Sequence, residues 1–181
     1  MNLNFIVFDN KRLFFSSSVK PTKNIVRKQF FSWIFLFVSK LYVIDFFCGS
    51  CVFGFEFYNY GAKKVLNFDI KEINISNIFV SLNKLNISVD DNFLLYNVDS
   101  LVWLKDINFL NFSLLVLDPP YSFENIDFFL LKINSVKFLR KCVFFFFETN
   151  FVFALNYFSY DLFLIKKKVI GNVLFFLFKK F

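Results

Sequence analysis

The sequence predicts an α/β fold: a mostly parallel sheet with helices on both faces, entered through a short N-terminal hairpin. Three observations carry this. Between residues 41 and 157, short apolar runs of strand length alternate with longer segments of helical period. Those runs are almost continuously apolar, as strands buried on both faces are. The last two runs, 162–168 and 173–178, flank a turn at Gly171 and read as a terminal antiparallel pair.

Taken in order, residues 3–8 and 12–16 are two apolar runs around Asp9-Asn10-Lys11, the spacing of a β-hairpin. Ser16-Ser17-Ser18 and Pro21 form a loop. Thr22 stands at the N-cap position of a helix predicted from Lys23 to about Phe37, with Ile25, Phe30, Trp33, Ile34 and Phe37 on its apolar face and Arg27 and Lys28 on its surface. Leu41–Phe46 is a strand that turns at 47–50 into a helix reaching about Tyr60, where Gly61 stops it. Strands follow at Val65–Asp69, Phe93–Tyr96, Phe112–Asp118 and Cys142–Phe147. Helices lie between them at Lys71–Leu85, Ser100–Lys105 and Glu124–Val136, and 150–157 reads as a further helix.

A chain of 181 residues fits one domain, with residues 1–21 as a basic hairpin arm and 22–181 as the core. There are 34 Phe but only 4 Gly, 3 Pro and no His, so the places where Gly and Pro cluster are informative. Two prolines fall at 119–120, and Gly49 and Gly54 share one segment after a strand. The longest stretch without a charged residue, 149–160, has 12 residues, short of the roughly 20 that a spanning helix needs. No signal-peptide pattern is evident. The reading is a cytoplasmic monomer with no membrane partner. The net charge of +7 is concentrated at the two ends, while the middle is mildly acidic. Basic ends around an acidic centre suit a polyanion lying beside the site. Three cysteines do not make a disulfide framework.

In an open parallel sheet, ligands bind beyond the carboxyl ends of the strands, at the switch point of the strand order. The residues collected there are Asp45 through Ser50, Asp69, Asp99, Asp118 through Tyr121, and Glu148. Asp45-Phe46-Phe47-Cys48-Gly49-Ser50-Cys51 runs from strand to turn to helix start, and Gly49 lets the backbone approach a ligand. It is neither G-x-G-x-x-G nor a Walker loop. An adenosine with a carboxylate-and-amine tail, such as S-adenosylmethionine, therefore fits better than a pyrophosphate. Asp69 suits ribose hydroxyls, and Asp99-Ser100 the adenine amino group. The cofactor set is Asp45, Phe47, Gly49, Ser50, Asp69, Ile70, Asp99 and Ser100.

Asp118-Pro119-Pro120-Tyr121 ends a buried strand with a rigid, extended exit. An exocyclic amine is a poor nucleophile because its lone pair is delocalised into the ring. The Asp118 carboxylate and the Pro119 carbonyl can accept its two N–H bonds and aim the lone pair at a methyl sulfonium. Tyr121 can stack on the base. Asp118, Pro119, Pro120 and Tyr121 are the expected catalytic set. Arg12, Lys20, Lys23 and Arg27 are the expected phosphate contacts. Cys48-Gly49-Ser50-Cys51 is also a C-x-x-C at a strand-to-helix turn, where a helix N-terminus lowers a thiol pKa, so a thiol oxidoreductase is the rival enzyme. A zinc site, or any other metal, is not expected.

These pieces together resemble the RsmD-type 16S rRNA guanine-N2 methyltransferases, of the Rossmann-like class I S-adenosylmethionine-dependent superfamily. Lys20-Pro21-Thr22 through Trp33 resembles the family's Arg-Pro-Thr segment and its helix. Asp45 to Gly54 with Glu56 resembles its D-x-F-A-G-S-G-x-x-G-x-E motif, with Cys48 for Ala and Cys51 for the second Gly. Asp69, Asp99, Asp118–Tyr121, Phe147-Glu148 and Lys168–Gly171 match its later motifs in order. The resemblance implies a seven-stranded sheet whose last strand is antiparallel. It also implies methylation of a guanine N2 in 16S rRNA, free or in an assembling small ribosomal subunit. The other readings are methylation of DNA adenine or protein glutamine, and an RNA-binding assembly factor that has lost its activity.

Overall fold

The computed structural model describes residues 4–8, 10–104, 112–120, 122–135, 144–149 and 162–180. Seven strands form one sheet in the order β5-β4-β3-β6-β7-β9-β8. They are β3 (Tyr42–Asp45), β4 (Lys64–Asp69), β5 (Phe93–Asn97), β6 (Leu114–Leu117), β7 (Phe144–Thr149), β8 (Leu162–Ile170) and β9 (Val173–Lys180). Pairing is parallel from β5 through to β7, whereas β9 runs antiparallel to both β7 and β8. The chain leaves the central strand β3 towards β4 and β5, then returns to the other side of β3 as β6. The switch point therefore lies between the carboxyl ends of β3 and β6.

The central strands read as continuous apolar runs because both of their faces are covered. All four residues of β6 are buried, as are Phe145, Phe146 and Phe147 of β7. One face packs under α1 (Asn24–Ile34), α2 (Val52–Asn59) and α3 (Glu72–Leu85), where Phe30, Phe53 and Phe57 meet Phe146 or one another. The other lies under α4 (Ser100–Trp103) and α5 (Ile126–Ser135), where Phe46, Phe68, Phe129 and Phe147 gather. Among the described residues, eleven phenylalanines are essentially inaccessible to solvent. Each contributes about 1.5–3 kcal/mol of burial, so bulky aromatics do the packing in a chain poor in Ala and Gly.

β1 (Asn4–Phe8) and β2 (Lys11–Phe15) form a separate antiparallel hairpin turning at Asn10, which has φ 58°. It docks on α3: the Phe14 amide donates to Ser81 Oγ at 2.9 Å, Leu13 is fully buried, and the Lys84 ammonium sits 4.0 Å above the Phe14 ring. β8 is the far edge strand, and Lys166, Lys167 and Lys168 on it are charges that discourage further strand pairing.

Element order and type follow the sequence expectation, with boundaries moved by a residue or two. One helix differs more. α1 ends at Ile34 and continues as a 3-10 helix through Lys40. Thr22 is also not its N-cap. Lys23 holds that place without a side-chain bond, and its carbonyl receives the Val26 and Arg27 amides. The helix expected at 150–157 lies outside the described residues, as does Asp9 of the first turn.

Candidate active site at the switch point

The carboxyl ends of β3, β4 and β6 open on a cavity of about 520 Å³. Its lining includes every residue of the expected cofactor set, together with Asp118, Pro119 and Pro120. The loop 18–23 that precedes α1 covers one side, and Glu148 of β7 and Val173 of β9 close another.

The turn after β3 has the geometry that its sequence implied. Gly49 has φ 53°, and a side chain there would press on Val19 Cγ1 at 3.3 Å. Cys51 is also left-handed, at φ 59°, which is strained for a residue with a Cβ. This is the position where the resembled family has glycine. Asp45 accepts from the Phe47 amide at 3.2 Å. Burial pushes the Asp45 carboxyl well above the usual carboxylate range, and the negative charges of Asp118 and Asp69 add to that.

Asp69 ties the turn to the next strand. Its Oδ2 accepts from the Gly49 amide and from Asn74 Nδ2, each at 3.0 Å, and its Oδ1 from the Lys71 amide at 2.8 Å. Sequence reasoning missed Asn74. It is a buried amide in the first turn of α3, and its place five residues past a strand-end acid was the signal the sequence offered. Asp99 both lines the cavity and caps α4, accepting from the Leu101 amide at 2.8 Å. Ile70 is 65% exposed at the cavity wall, an apolar platform of the kind that suits a planar ring.

Across the switch point, Asp118 leaves β6 beside Thr22, whose hydroxyl donates to Asp118 Oδ2. The burial of Asp118 raises its carboxyl to about 6, with the Thr22 bond working against the rise. Thr22 was another residue that periodicity assigned elsewhere. Tyr121 lies outside the described residues.

Arg27, expected to reach phosphate from the surface of α1, is buried instead. It is 4% exposed, its Nε pairs with Glu56 Oε1 at 2.9 Å, and its Nη1 donates to the Thr22 carbonyl. It holds the inside of the molecule together and is withdrawn from the phosphate set. Lys20 and Lys23 lie at the cavity and Arg12 is exposed with its guanidinium 4.4 Å from the Phe5 ring.

The C-x-x-C pair does not have the lowered thiol pKa expected at a helix N-terminus. Cys48 and Cys51 are free and buried, and burial pushes both thiols up rather than down, aided by the negative charges of Asp45 and Asp69. A protonated, enclosed pair is unsuited to dithiol exchange. No cluster of metal-ligating side chains occurs among the described residues, and no helix among them is long and apolar enough to cross a membrane.

The residues present fit S-adenosylmethionine. A cavity that gathers the carboxyls of Asp45, Asp69 and Asp118 against their mutual repulsion suits a ligand carrying a sulfonium and an ammonium. The positive φ of Gly49 and the amides of the same turn make room for its tail.

The sheet order, the switch-point cavity and the acids at successive strand ends define the class I methyltransferase fold. Solved structures agree: a methyltransferase candidate from Escherichia coli superimposes with a TM-score of 0.81 at 18% identity, covering 94% of this chain and 92% of its own. A methylase candidate from Haemophilus influenzae gives 0.72 at 24% identity over 88% and 99%. The family model described as Conserved hypothetical protein 95 matches residues 8–179. The chain belongs to this family, the RsmD-type proteins that its motifs resembled. Two curated relatives are both named Ribosomal RNA small subunit methyltransferase D. The one from Haemophilus influenzae is 29% identical over 110 residues, 60% of this chain and 56% of the relative. The one from Buchnera aphidicola is 27% identical over 109 residues, 58% and 53%. The matched span thus covers little more than half of either relative.

Proposed function

We propose that this protein uses S-adenosylmethionine to methylate the exocyclic N2 amine of a guanine in 16S rRNA. One observation carries the reading: the Asp118-Pro119-Pro120 exit of β6 and the Asp45–Ser50 turn of β3 face each other across one cavity at the switch point. When bound, the cofactor supplies an electrophilic methyl group on a sulfonium. Asp45, Gly49 and Ser50 would hold its amino-acid tail, Asp69 its ribose, and Ile70, Asp99 and Ser100 its adenine. Asp118 accepts one N–H of the substrate amine and the Pro119 carbonyl the other, while Pro119 and Pro120 keep the segment extended. Tyr121 is the residue assigned to stack on the base. The names of the curated relatives, and the basic residues Arg12, Lys20 and Lys23, support an RNA substrate.

Two measurements test this. Calorimetry should show binding of S-adenosylmethionine in the micromolar range; an absence of binding at millimolar cofactor removes the catalytic reading. Mass mapping of small-subunit rRNA with and without the protein should differ at one methylguanosine. An unchanged pattern ends the rRNA assignment.

A further inference from the structure

We infer that Thr22 is a positioning residue for Asp118: its hydroxyl holds one carboxylate oxygen, so that the other is presented to the incoming amine. This rests on the methyl-transfer reading above. The contact joins residues 96 apart in sequence, from the loop before α1 to the exit of β6. Thr22 has no competing local task, because Lys23 and not Thr22 caps α1. Its hydroxyl, only 7% exposed as a residue, is spent on Asp118.

Thr22 is itself held from behind. Arg27 of α1 donates to its carbonyl and pairs with Glu56 of α2 at 2.9 Å. The path Glu56–Arg27–Thr22–Asp118 therefore sets a reactive carboxylate from two helices that touch no substrate. A free aspartate rotates about χ1 and χ2, and holding Oδ2 removes that freedom before the amine arrives. The bond also favours the ionised form, which is the stronger acceptor for the amine N–H. The charged groups sharing the cavity with Asp118 are Asp45, Asp69, Asp99 and Glu148, with Lys71 at the start of α3 and Lys20 and Lys23 on the α1 approach. Burial is what disfavours ionisation of Asp118, and the Thr22 hydroxyl is the group that works against it.

The test compares the full chain with Thr22→Val and Thr22→Ser. The first readout is the titration of 13C-labelled aspartate carboxyls without cofactor, with Asp118 assigned by Asp118→Asn. Asp118 should titrate near 6 in the parent. Its midpoint should move up in Thr22→Val and return in Thr22→Ser. The second readout is methyl transfer to rRNA. Thr22→Val should lower kcat at pH 7 on the order of tenfold, with KM for the cofactor changing less than about threefold, and its acid limb should move to higher pH. Thr22→Ser should restore both. If Thr22→Val does not fold, Thr22→Ala carries the comparison. An Asp118 midpoint unmoved by Thr22→Val, or a Thr22→Ser that behaves like Thr22→Val, overturns the inference. A titration that responds in a protein that transfers no methyl group supports the hold on Asp118 and overturns only the methyl-transfer reading.

Discussion

Replacing Gly54 by Ala should destabilise this protein, although alanine is the better helix former. Gly54 is buried in α2, and a Cβ built there would stand 2.2 Å from Asn67 Oδ1 and 2.7 Å from Cys51 Sγ. Neither neighbour is the free end of a mobile side chain. Asn67 is fully buried on β4, and its Nδ2 donates to the Leu94 carbonyl of β5 at 3.0 Å. Relief requires Asn67 to turn, giving up that bond at about 1 kcal/mol, or α2 to lift from the sheet. Crowding of this kind costs about 1–3 kcal/mol, while the gain in helix propensity returns about 1 kcal/mol. The net loss is about 2 kcal/mol. At roughly 2–4 °C per kcal/mol for a chain of this size, Tm should fall by about 4–8 °C. The assay is a urea and thermal melt of Gly54→Ala, Asn67→Ala and the double variant. Removing the carboxamide should recover much of the loss, giving a coupling of at least about 1 kcal/mol. A Tm that is unchanged or raised in Gly54→Ala, or two effects that simply add, would refute the reasoning.

Stability should rise on mild acidification. The folded carboxyls of Asp118 and Asp45 lie above their unfolded values, so between about pH 4 and 6 the folded state binds more protons than the unfolded one and stability falls as pH rises through that window. The chain has no His to titrate nearby. The urea midpoint should be higher at pH 5 than at pH 7, and Asp118→Asn should raise it at pH 7 while abolishing methyl transfer; a midpoint that drops at pH 5 and ignores Asp118→Asn counts against this. Arg27→Ala should cost about 3 kcal/mol in a denaturant melt by leaving Glu56 buried without its partner. Lys23→Ala should instead leave the fold intact and flatten the salt dependence of RNA binding by a slope of about 0.7–0.9. In a Cys142→Ser background, Cys48 and Cys51 should react with an aromatic disulfide at pH 8 about 100-fold more slowly in the native protein than in urea, and fast native labelling would contradict their burial.

Local signals pointed to most of the residues that line the candidate site. Asp45, Asp69, Asp99 and Asp118 each follow an apolar run, and the winding of a parallel sheet brings strand ends to one edge whatever the details of packing. The same logic placed Gly49 and Cys51 in a tight turn, since a motif that wants glycine is a statement about backbone conformation. Period and propensity misplaced Thr22 and Arg27 because both are ordinary where they stand. A threonine before a helix reads as a cap, and an arginine on a helix reads as surface.

What the sequence by itself determined is the α/β winding, the series of strand-end acids and the rigid Asp118-Pro119-Pro120 exit. All of these depend on neighbours within a few residues. What only the tertiary structure decided is which groups those acids face. Thr22 meets Asp118 across 96 residues, Arg27 turns inward to Glu56, and Asn67 lies under Gly54. The pairings depend on how helices settle on a finished sheet, where the burial of a polar group and the partner available to it are set together.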